Sequence, residues 1–150
     1  MSDAAATPPP LDPAAVRGVV FDLDGTLVDS YAAIAASVNH ARAHFGLAEL
    51  PAAVVRRTVG RGLEALLAEL LGPQRVELGV RLFRERYAET FAAATIALPG
   101  AAQTLGELTR RGYVLAVASN KPARFSDPIL AALGLRPYLR SVEGPDLAGA

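Results

Sequence analysis

Two aspartates, Asp22 and Asp24, stand directly after a run of strand-forming apolar residues, and a glycine follows them. In a continuing strand, this spacing would place both carboxylates on one face about 7 Å apart, where they would repel each other. Gly25 offers the chain another path, because glycine adopts backbone conformations that other residues avoid. We therefore expect the strand to end here and both acids to point into a cleft.

Two neighbouring carboxylates in a cleft are suited to binding a divalent cation and to catalysis. Mg²⁺ is bound in proteins by one or two carboxylates together with substrate phosphate and water. The simpler interpretation is an Asp-Gly turn between strands, which accounts for Asp24 and Gly25 but not for Asp22 or the apolar run before it. Because buried acids seldom serve structure alone, the pattern favours a catalytic, metal-binding pair.

A second polar segment, Ser119–Pro122, follows the apolar run 113–118. It contains Lys121, the only lysine among the 15 basic residues of the chain. Two parallel strands joined by a crossover helix form a right-handed unit, and such sheets bind ligands at the carboxyl ends of their strands. We therefore expect Ser119 to face the same cleft as Asp22. The alternative role for Ser119 is to cap the helix that begins near Pro122.

The predicted elements alternate in a way that is typical of an α/β protein. Apolar runs predict three strands, and the first is apolar on both faces, as in the centre of a parallel sheet. Helical periodicity predicts an all-α insertion between the first two strands, divided by Pro and Gly. The strands are predicted at 16–21, 113–118 and 140–143, and the helices at 30–46, from 51, at 63–71, 74–93 and 101–111, and after 122. Asp29 or Ser30 is expected to cap the first helix, and Asp127 the last.

This pattern predicts a Rossmann-like parallel sheet with an inserted helical cap. The expected organisation is a Pro-rich tail at 1–15, a sheet core from 16–28 and 98–150, and the helical cap at 29–97. The 150 residues suffice for one domain with an insertion, and 51% of them are hydrophobic.

Composition excludes several classes of function. Basic and acidic residues number 15 each, which leaves no electrostatic footprint for nucleic acid or an anionic membrane. The absence of cysteine excludes disulfides and thiolate metal sites. No apolar run is long enough to span a bilayer, and the first ten residues do not resemble a signal peptide. We expect a soluble, cytoplasmic protein.

Two further signals are weaker. His40 and His44 have the i, i+4 spacing of a metal chelate on a helix, although solvated helix residues are the simpler interpretation. Arg61 lies between Gly60 and Gly62, and this loop could bring its guanidinium over the cleft toward a second anionic group of a substrate. The alternative is a solvated arginine in a turn between helices.

The segment Phe21–Ser30 resembles the first motif, Asp-x-Asp-Gly-Thr, of the haloacid dehalogenase-like (HAD) phosphohydrolases, and 117–122 resembles their second motif. The segments Leu98–Ala101 and Val59–Gly62, the latter followed by a Leu-rich helix, resemble phosphoglycolate phosphatases with a helical cap. The resemblance covers 16–144. It implies a Mg²⁺-dependent phosphatase for a small phosphorylated metabolite such as 2-phosphoglycolate.

The resemblance also implies a role for each site residue. Asp22 would be the nucleophile that forms an aspartyl-phosphate, and Asp24 would be the general acid and base. Mg²⁺ would be held by Asp22 and by Asp24 through its backbone carbonyl. Ser119, Asn120 and Lys121 would hold the phosphate oxygens.

The family continues beyond the position of Gly144 to a lysine that clamps the phosphate and to further metal-binding acids. We therefore expect these groups to be missing from the site, with Lys121 either replacing that lysine or serving as an ordinary loop residue. The first strand would then be an exposed apolar edge able to pair with another chain. A sugar-phosphate mutase and a truncated, non-catalytic fragment remain alternatives, whereas a dehalogenase is disfavoured because that branch lacks the second acid, Asp24.

Overall fold

The computed structural model describes residues 15–147, so nearly all of the predicted tail at 1–15 lies outside the described residues. The strands are β1 (Gly18–Phe21), β2 (Val28–Asp29), β3 (Ile96–Ala97), β4 (Val114–Ala118) and β5 (Ser141–Glu143). The helices are α1 (Tyr31–His44), α2 (Ala52–Thr58), α3 (Leu63–Leu71), α4 (Val76–Thr90), α5 (Ala101–Arg110) and α6 (Ala123–Ala132). Short 3₁₀ turns occupy Pro73–Arg75 and Arg136–Tyr138.

The central feature is a parallel sheet in the order β1-β4-β5, which confirms the predicted α/β class. The alternation of residues along β4 explains how the sheet is covered. Leu115 and Val117 point into a core that α5 and α6 complete with Leu105, Ile129 and Leu130. These five side chains are at most 1% exposed, so they fix the sheet against its two helices.

The other face of the sheet is apolar but open among the described residues. Val20 and Val114 are 66% and 57% exposed, and the register Gly18↔Val114 and Val20↔Ala116 places them on this same face. Among the described residues β4 is central and β1 is an edge, so the prediction of a central β1 is wrong there and the prediction of an exposed apolar edge is confirmed. Both faces of β1 are apolar. One face packs into the core, and the other is uncovered among the described residues.

Helices α1 to α4 form a second, separate hydrophobic cluster, which we call the helical cap. Its interior includes Val38, Val55, Leu67 and Phe83, one from each helix, and the helix bounds agree with the prediction to within a few residues. No helix within residues 15–147 combines the length and the apolar character required to cross a membrane.

The predicted helical insertion is confirmed, but a short two-stranded ribbon that was not predicted lies at its two ends. Strands β2 and β3 pair antiparallel there, with Val28 opposite Ala97 and Asp29 opposite Ile96. Each strand has two residues, which is too short to produce a visible alternation in the sequence. This ribbon ties together the two chain segments that connect the sheet to the helical cap.

Candidate active site

The loop after β1 places the side chains of its two aspartates in the cleft and not in the core. Leu23, between them, is fully buried, and its carbonyl accepts bonds from the N–H groups of Leu27 at 3.0 Å and Val28 at 3.1 Å. Gly25 turns the chain at a φ of +81°, which strains other residues, and a Cβ there would lie 2.5 Å from the Tyr31 hydroxyl, so a side chain would also displace the tyrosine. Anchored through Leu23, the loop holds Asp22 and Asp24 in the cleft.

The structure brings the predicted site residues together. Asp22, Asp24, Ser119, Asn120 and Lys121 all line one cavity of about 230 Å³, which is closed on its other side by residues of the helical cap. Parallel β1 and β4 end at the same edge of the sheet, so their two loops meet there. The Asp22 side chain is exposed to the cleft, whereas that of Asp24 is 13% exposed.

Both carboxylate oxygens of Asp24 are engaged. The hydroxyl of the fully buried Ser30 donates a hydrogen bond to Asp24 Oδ1, and Lys121 Nζ lies 3.0 Å from Oδ2. Of the two residues predicted to cap helix α1, Ser30 makes no capping bond, because its side chain bonds Asp24. The adjacent Asp29 accepts the Tyr31 N–H instead, at 3.1 Å. Ser30 is thus a site residue that sequence reasoning assigned to helix structure.

Lys121 links the sheet to the helical cap. Its ammonium donates a hydrogen bond to the hydroxyl of Tyr87 on α4 at 2.6 Å and also pairs with Asp24. The lysine side chain is 7% exposed. The cation is thus already bound to an acid and a phenol, and its ion pair within the described residues is with Asp24. Tyr87 lies on the buried face of α4 with Val80 and Phe83, and its hydroxyl is a further site group that helical periodicity does not reveal.

The buried ammonium and phenol each bind a proton more tightly than usual. Burial alone lowers the pKa of Lys121, but the negative charge of Asp24 and the Tyr87 hydroxyl together raise it above its ordinary value. Burial raises the pKa of Tyr87, and this outweighs the opposite effect of the Lys121 ammonium. Both pKa values therefore move upward, so the protonated forms of both groups are favoured by the folded state.

This pair predicts a loss of stability in alkali. Because the folded state holds both protons more tightly, unfolding releases protons, and the stabilising contribution disappears as the pH rises from about 10 through the raised pKa values. We expect the free energy of unfolding, measured with urea in EDTA, to fall more steeply above that pH in wild type than in the double variant Lys121→Met, Tyr87→Phe. Parallel pH profiles for the two proteins would contradict this assignment.

Ser119 lies in the turn after β4 and does not cap helix α6. Its hydroxyl accepts the N–H of Lys121 at 3.3 Å, while the first turn of α6 is capped by Asp146, which accepts the N–H groups of Ala123 at 2.6 Å and Arg124 at 3.2 Å. Ser119 also lines the cavity, and its ligand-facing role stays a prediction.

The prediction for Asp127 is also wrong. It lies inside α6 and pairs with Arg136 at 2.5 Å, so it does not cap the helix. Asn120, by contrast, faces the cleft and donates from its side-chain amide to the carbonyl of Gly60 at 2.8 Å. This bond is a second link, beside Lys121, between the turn after β4 and the helical cap.

The weaker candidates lie outside the cluster. Arg61 points away from the cavity lining, with its side chain 74% exposed and paired with Glu69 at 2.7 Å. His40 and His44 are exposed, and residues 15–147 contain no group of three His, Cys, Asp or Glu side chains placed to hold a metal. Arg84, which sequence analysis did not single out, does line the cavity.

The donor set of the cleft fits Mg²⁺ with help from a substrate. Asp22 supplies a carboxylate open to the cleft, and the backbone carbonyl of Asp24 is a second oxygen donor; phosphate and water commonly complete a Mg²⁺ site. The Asp24 side chain is less suited to ligation because Ser30 and Lys121 already engage both of its oxygens. Asp22 is therefore the better metal ligand of the predicted pair.

A parallel α/β sheet that presents paired aspartates beneath an inserted helical cap is the architecture of a large class of hydrolases. Residues 19–147 match the model of the haloacid dehalogenase-like hydrolase family. The chain belongs to this family.

Comparison with individual proteins gives the same class. The chain is 35% identical over 139 residues to a phosphoglycolate phosphatase of Yersinia pestis, covering 88% of this chain and 60% of that protein. It is 40% identical over 126 residues to a phosphoglycolate phosphatase of Haemophilus influenzae, covering 77% of this chain and 56% of that protein. The crystal structure of a predicted phosphoglycolate phosphatase from Haemophilus somnus 129pt superposes with a TM-score of 0.82 at 27% identity, covering 90% and 65% of the two chains. The chain thus spans less than two thirds of the length of these relatives.

Proposed function

We propose that this chain takes part in Mg²⁺-dependent hydrolysis of a small phosphorylated metabolite, with 2-phosphoglycolate as the first candidate substrate. The observation that carries the proposal is the meeting of Asp22, Asp24 and Ser119 in one cleft beneath the helical cap. The similarity to phosphoglycolate phosphatases supports the choice of substrate.

Asp22 is proposed as the nucleophile. Its carboxylate is open to the cleft, so an oxygen can form a bond to phosphorus while the bond from phosphorus to the leaving oxygen breaks. The resulting aspartyl-phosphate is then hydrolysed by water, which regenerates the carboxylate and releases phosphate. A bound Mg²⁺ would neutralise charge between the phosphate and Asp22, two anions that otherwise repel each other.

Asp24 is proposed as the general acid and base. Asp24, ionised in its pair with Lys121, must first take up a proton, which it gives to the leaving oxygen in the first step. In the second step the carboxylate takes a proton from the attacking water. Ser30 and Lys121 fix the orientation of this carboxyl group from two sides, so it is held ready in the cleft. Such positioning lowers the entropic cost of reaching the proton-transfer geometry.

The turn after β4 is proposed as the phosphate-binding element. Ser119 offers a hydroxyl and Asn120 a backbone N–H at the end of the strand, and Lys121 supplies a positive charge in the same cavity. Groups of this kind, held in place before the reaction, stabilise the charge that develops on the phosphoryl oxygens.

The proposal is tested by the release of inorganic phosphate from 2-phosphoglycolate by this chain, with Mg²⁺ and with EDTA. We expect release that requires Mg²⁺ and is absent from the Asp22→Asn variant. Equal release by the two proteins would show that Asp22 is not the nucleophile, and no release above the uncatalysed background would refute the enzymatic proposal for this chain.

Self-association through the open edge of the sheet is a second property that we propose. Val20 and Val114 form an apolar surface beside the unpaired edge of β1 in the described chain, and edges of this kind pair with other strands. We expect the molar mass measured by light scattering to rise with concentration, and Val20→Lys to weaken that rise because it places a charge on this face. A constant monomer mass for wild type would refute the proposal.

A further inference from the structure

The wall that the helical cap contributes to the cleft is mainly apolar. Its aliphatic and phenylalanine side chains are Ile34, Val59, Leu63, Leu66 and Phe83, and Phe125 of α6 also lines the cavity. Among the described lining residues, Arg84 on α4 is the basic group that the helical cap supplies. A cation on an otherwise apolar wall marks the place where a substrate anion can be recognised.

The other cation of the cavity is already engaged. Lys121 is paired with Asp24 at 3.0 Å and bonded to Tyr87 at 2.6 Å. A substrate that brings a carboxylate in addition to its phosphate therefore needs a further positive partner. Arg84 meets this requirement, because it lines the same cavity and its one ion pair in the described residues is long, at 3.9 Å.

Arg84 is only loosely held in the described structure. Its guanidinium lies 3.9 Å from Glu64, at the limit of an ion pair, and the two side chains are 45% and 67% exposed. Exposed pairs of this kind contribute little to stability, so a substrate can replace Glu64 at small cost. Arg61 differs, since its 2.7 Å contact with Glu69 directs it away from the cavity.

The position of Arg84 on its helix sets its distance from the reaction centre. Arg84 precedes Tyr87 by three residues, and side chains at this spacing are neighbours on a helix surface, with Cβ atoms about 5–6 Å apart. The Tyr87 hydroxyl contacts Lys121, which in turn contacts Asp24. Arg84 thus lies about one helical turn from the residue that contacts the Lys121–Asp24 pair, and both line the same cavity.

We propose that Arg84 binds the carboxylate of a short phosphorylated hydroxy acid and so determines substrate specificity, an inference that rests on the proposed phosphatase function. A guanidinium binds a carboxylate through two parallel hydrogen bonds, which fix orientation as well as charge. The cavity of about 230 Å³ limits the substrate to a small molecule.

The test compares substrates of equal length and different charge. For wild type and each variant, kcat/KM is measured for 2-phosphoglycolate, for 2-hydroxyethyl phosphate, which lacks the carboxylate, and for ethylene glycol bisphosphate, which carries a second phosphate. We expect Arg84→Gln to lower the ratio of kcat/KM for 2-phosphoglycolate to that for 2-hydroxyethyl phosphate by about 10- to 100-fold, as for loss of a charged hydrogen-bonded pair. Arg84→Lys should recover part of the ratio, because it restores the charge without the paired geometry.

Two control variants locate the effect. Arg86→Gln removes a cation from the same helix that pairs with Glu89 on the surface, and its ratio should stay within about twofold of wild type. If Arg61→Gln lowers the ratio and Arg84→Gln does not, the proposal is overturned in favour of the glycine-flanked loop. If Arg84→Gln lowers kcat/KM more for the bisphosphate than for 2-phosphoglycolate, the proposal that the bound group is a carboxylate is overturned.

Binding separates this inference from the proposed function. Calorimetric titration of the Asp22→Asn protein with 2-phosphoglycolate measures affinity without turnover, and Arg84→Gln in that background should weaken it by a similar factor. If the chain shows no turnover but this selective loss of affinity is observed, the Arg84 site stands while the catalytic proposal fails. Equal affinities with and without Arg84 would refute the site whether or not the chain is active.

Discussion

Replacement of Asp22 by Asn is expected to lower the rate of phosphate release by at least about 10⁴-fold, the size of loss seen when a catalytic nucleophile is removed. The amide has nearly the shape of the carboxylate but cannot form the aspartyl-phosphate. Because the Asp22 side chain is exposed to the cleft, the change should leave the melting temperature close to that of wild type. The measurement is steady-state turnover of 2-phosphoglycolate together with a thermal melt.

A matched aspartate outside the cleft provides the control. Asp127 on α6 pairs with Arg136 at the surface, and Asp127→Asn should retain turnover within about twofold of wild type. An Asp22→Asn protein that melts normally and keeps a tenth or more of wild-type turnover would exclude a covalent role for Asp22. A fall in turnover accompanied by a fall in melting temperature would instead place the effect in the fold.

The sequence was most informative where a single local pattern determines the structure. The apolar run before Asp22 and the glycine at 25 predicted that a strand would end with two acids in a cleft, and Gly25 indeed turns there at a φ of +81°. The same reasoning predicted that Ser119 would meet Asp22, because parallel strands with a crossover connection end at one edge. The helices of the cap were predicted from periodicity because each presents a broad apolar stripe to one shared core.

Contacts between segments distant in sequence were not predictable in this way. Ser30 follows a strand and precedes a helix, so its local sequence predicted a capping role. In the structure the hydroxyl of Ser30 instead donates a hydrogen bond to Asp24. Tyr87 fits an apolar stripe at helical spacing, and no local pattern shows that its hydroxyl meets Lys121, which lies 34 positions further along the chain. Hydrophobic periodicity does not detect the hydroxyl at the end of a tyrosine side chain. In a buried cluster that hydroxyl needs a hydrogen-bond partner, which here is Lys121.

The choice between Arg61 and Arg84 shows the same limit. Glycines on both sides made Arg61 the more conspicuous residue, since such a loop can approach a ligand closely. In the structure Arg61 pairs with Glu69, whereas Arg84 lines the cavity from a regular helix. Which of two cations faces a cleft depends on how the helices pack, and that packing is set by their buried faces rather than by residues near the arginine.

Replacement of Asp24 by Asn is expected to lower turnover of 2-phosphoglycolate by about 10²- to 10⁴-fold, the usual contribution of a positioned acid and base. With nitrophenyl phosphate as the substrate, the two chemical steps should respond differently to this change. The leaving group is then nitrophenolate, which needs little protonation. Phosphorylation of Asp22 should then proceed while hydrolysis of the aspartyl-phosphate, which needs the base, is slow. We expect a burst of about one nitrophenolate per chain and a protein mass increased by one phosphoryl group in rapid-quench mass spectra.

The structural and catalytic effects of this change can be separated with Lys121. Asparagine at position 24 leaves the buried ammonium without its anion, which should reduce the free energy of unfolding by about 1–3 kcal/mol. Adding Lys121→Met removes the unpaired charge, so the double variant should recover part of that stability but none of the turnover. If the double variant recovers turnover along with stability, Asp24 serves only to neutralise Lys121. If the double variant is stable and inactive but still accumulates the phosphoryl-enzyme, proton transfer is assigned to Asp24.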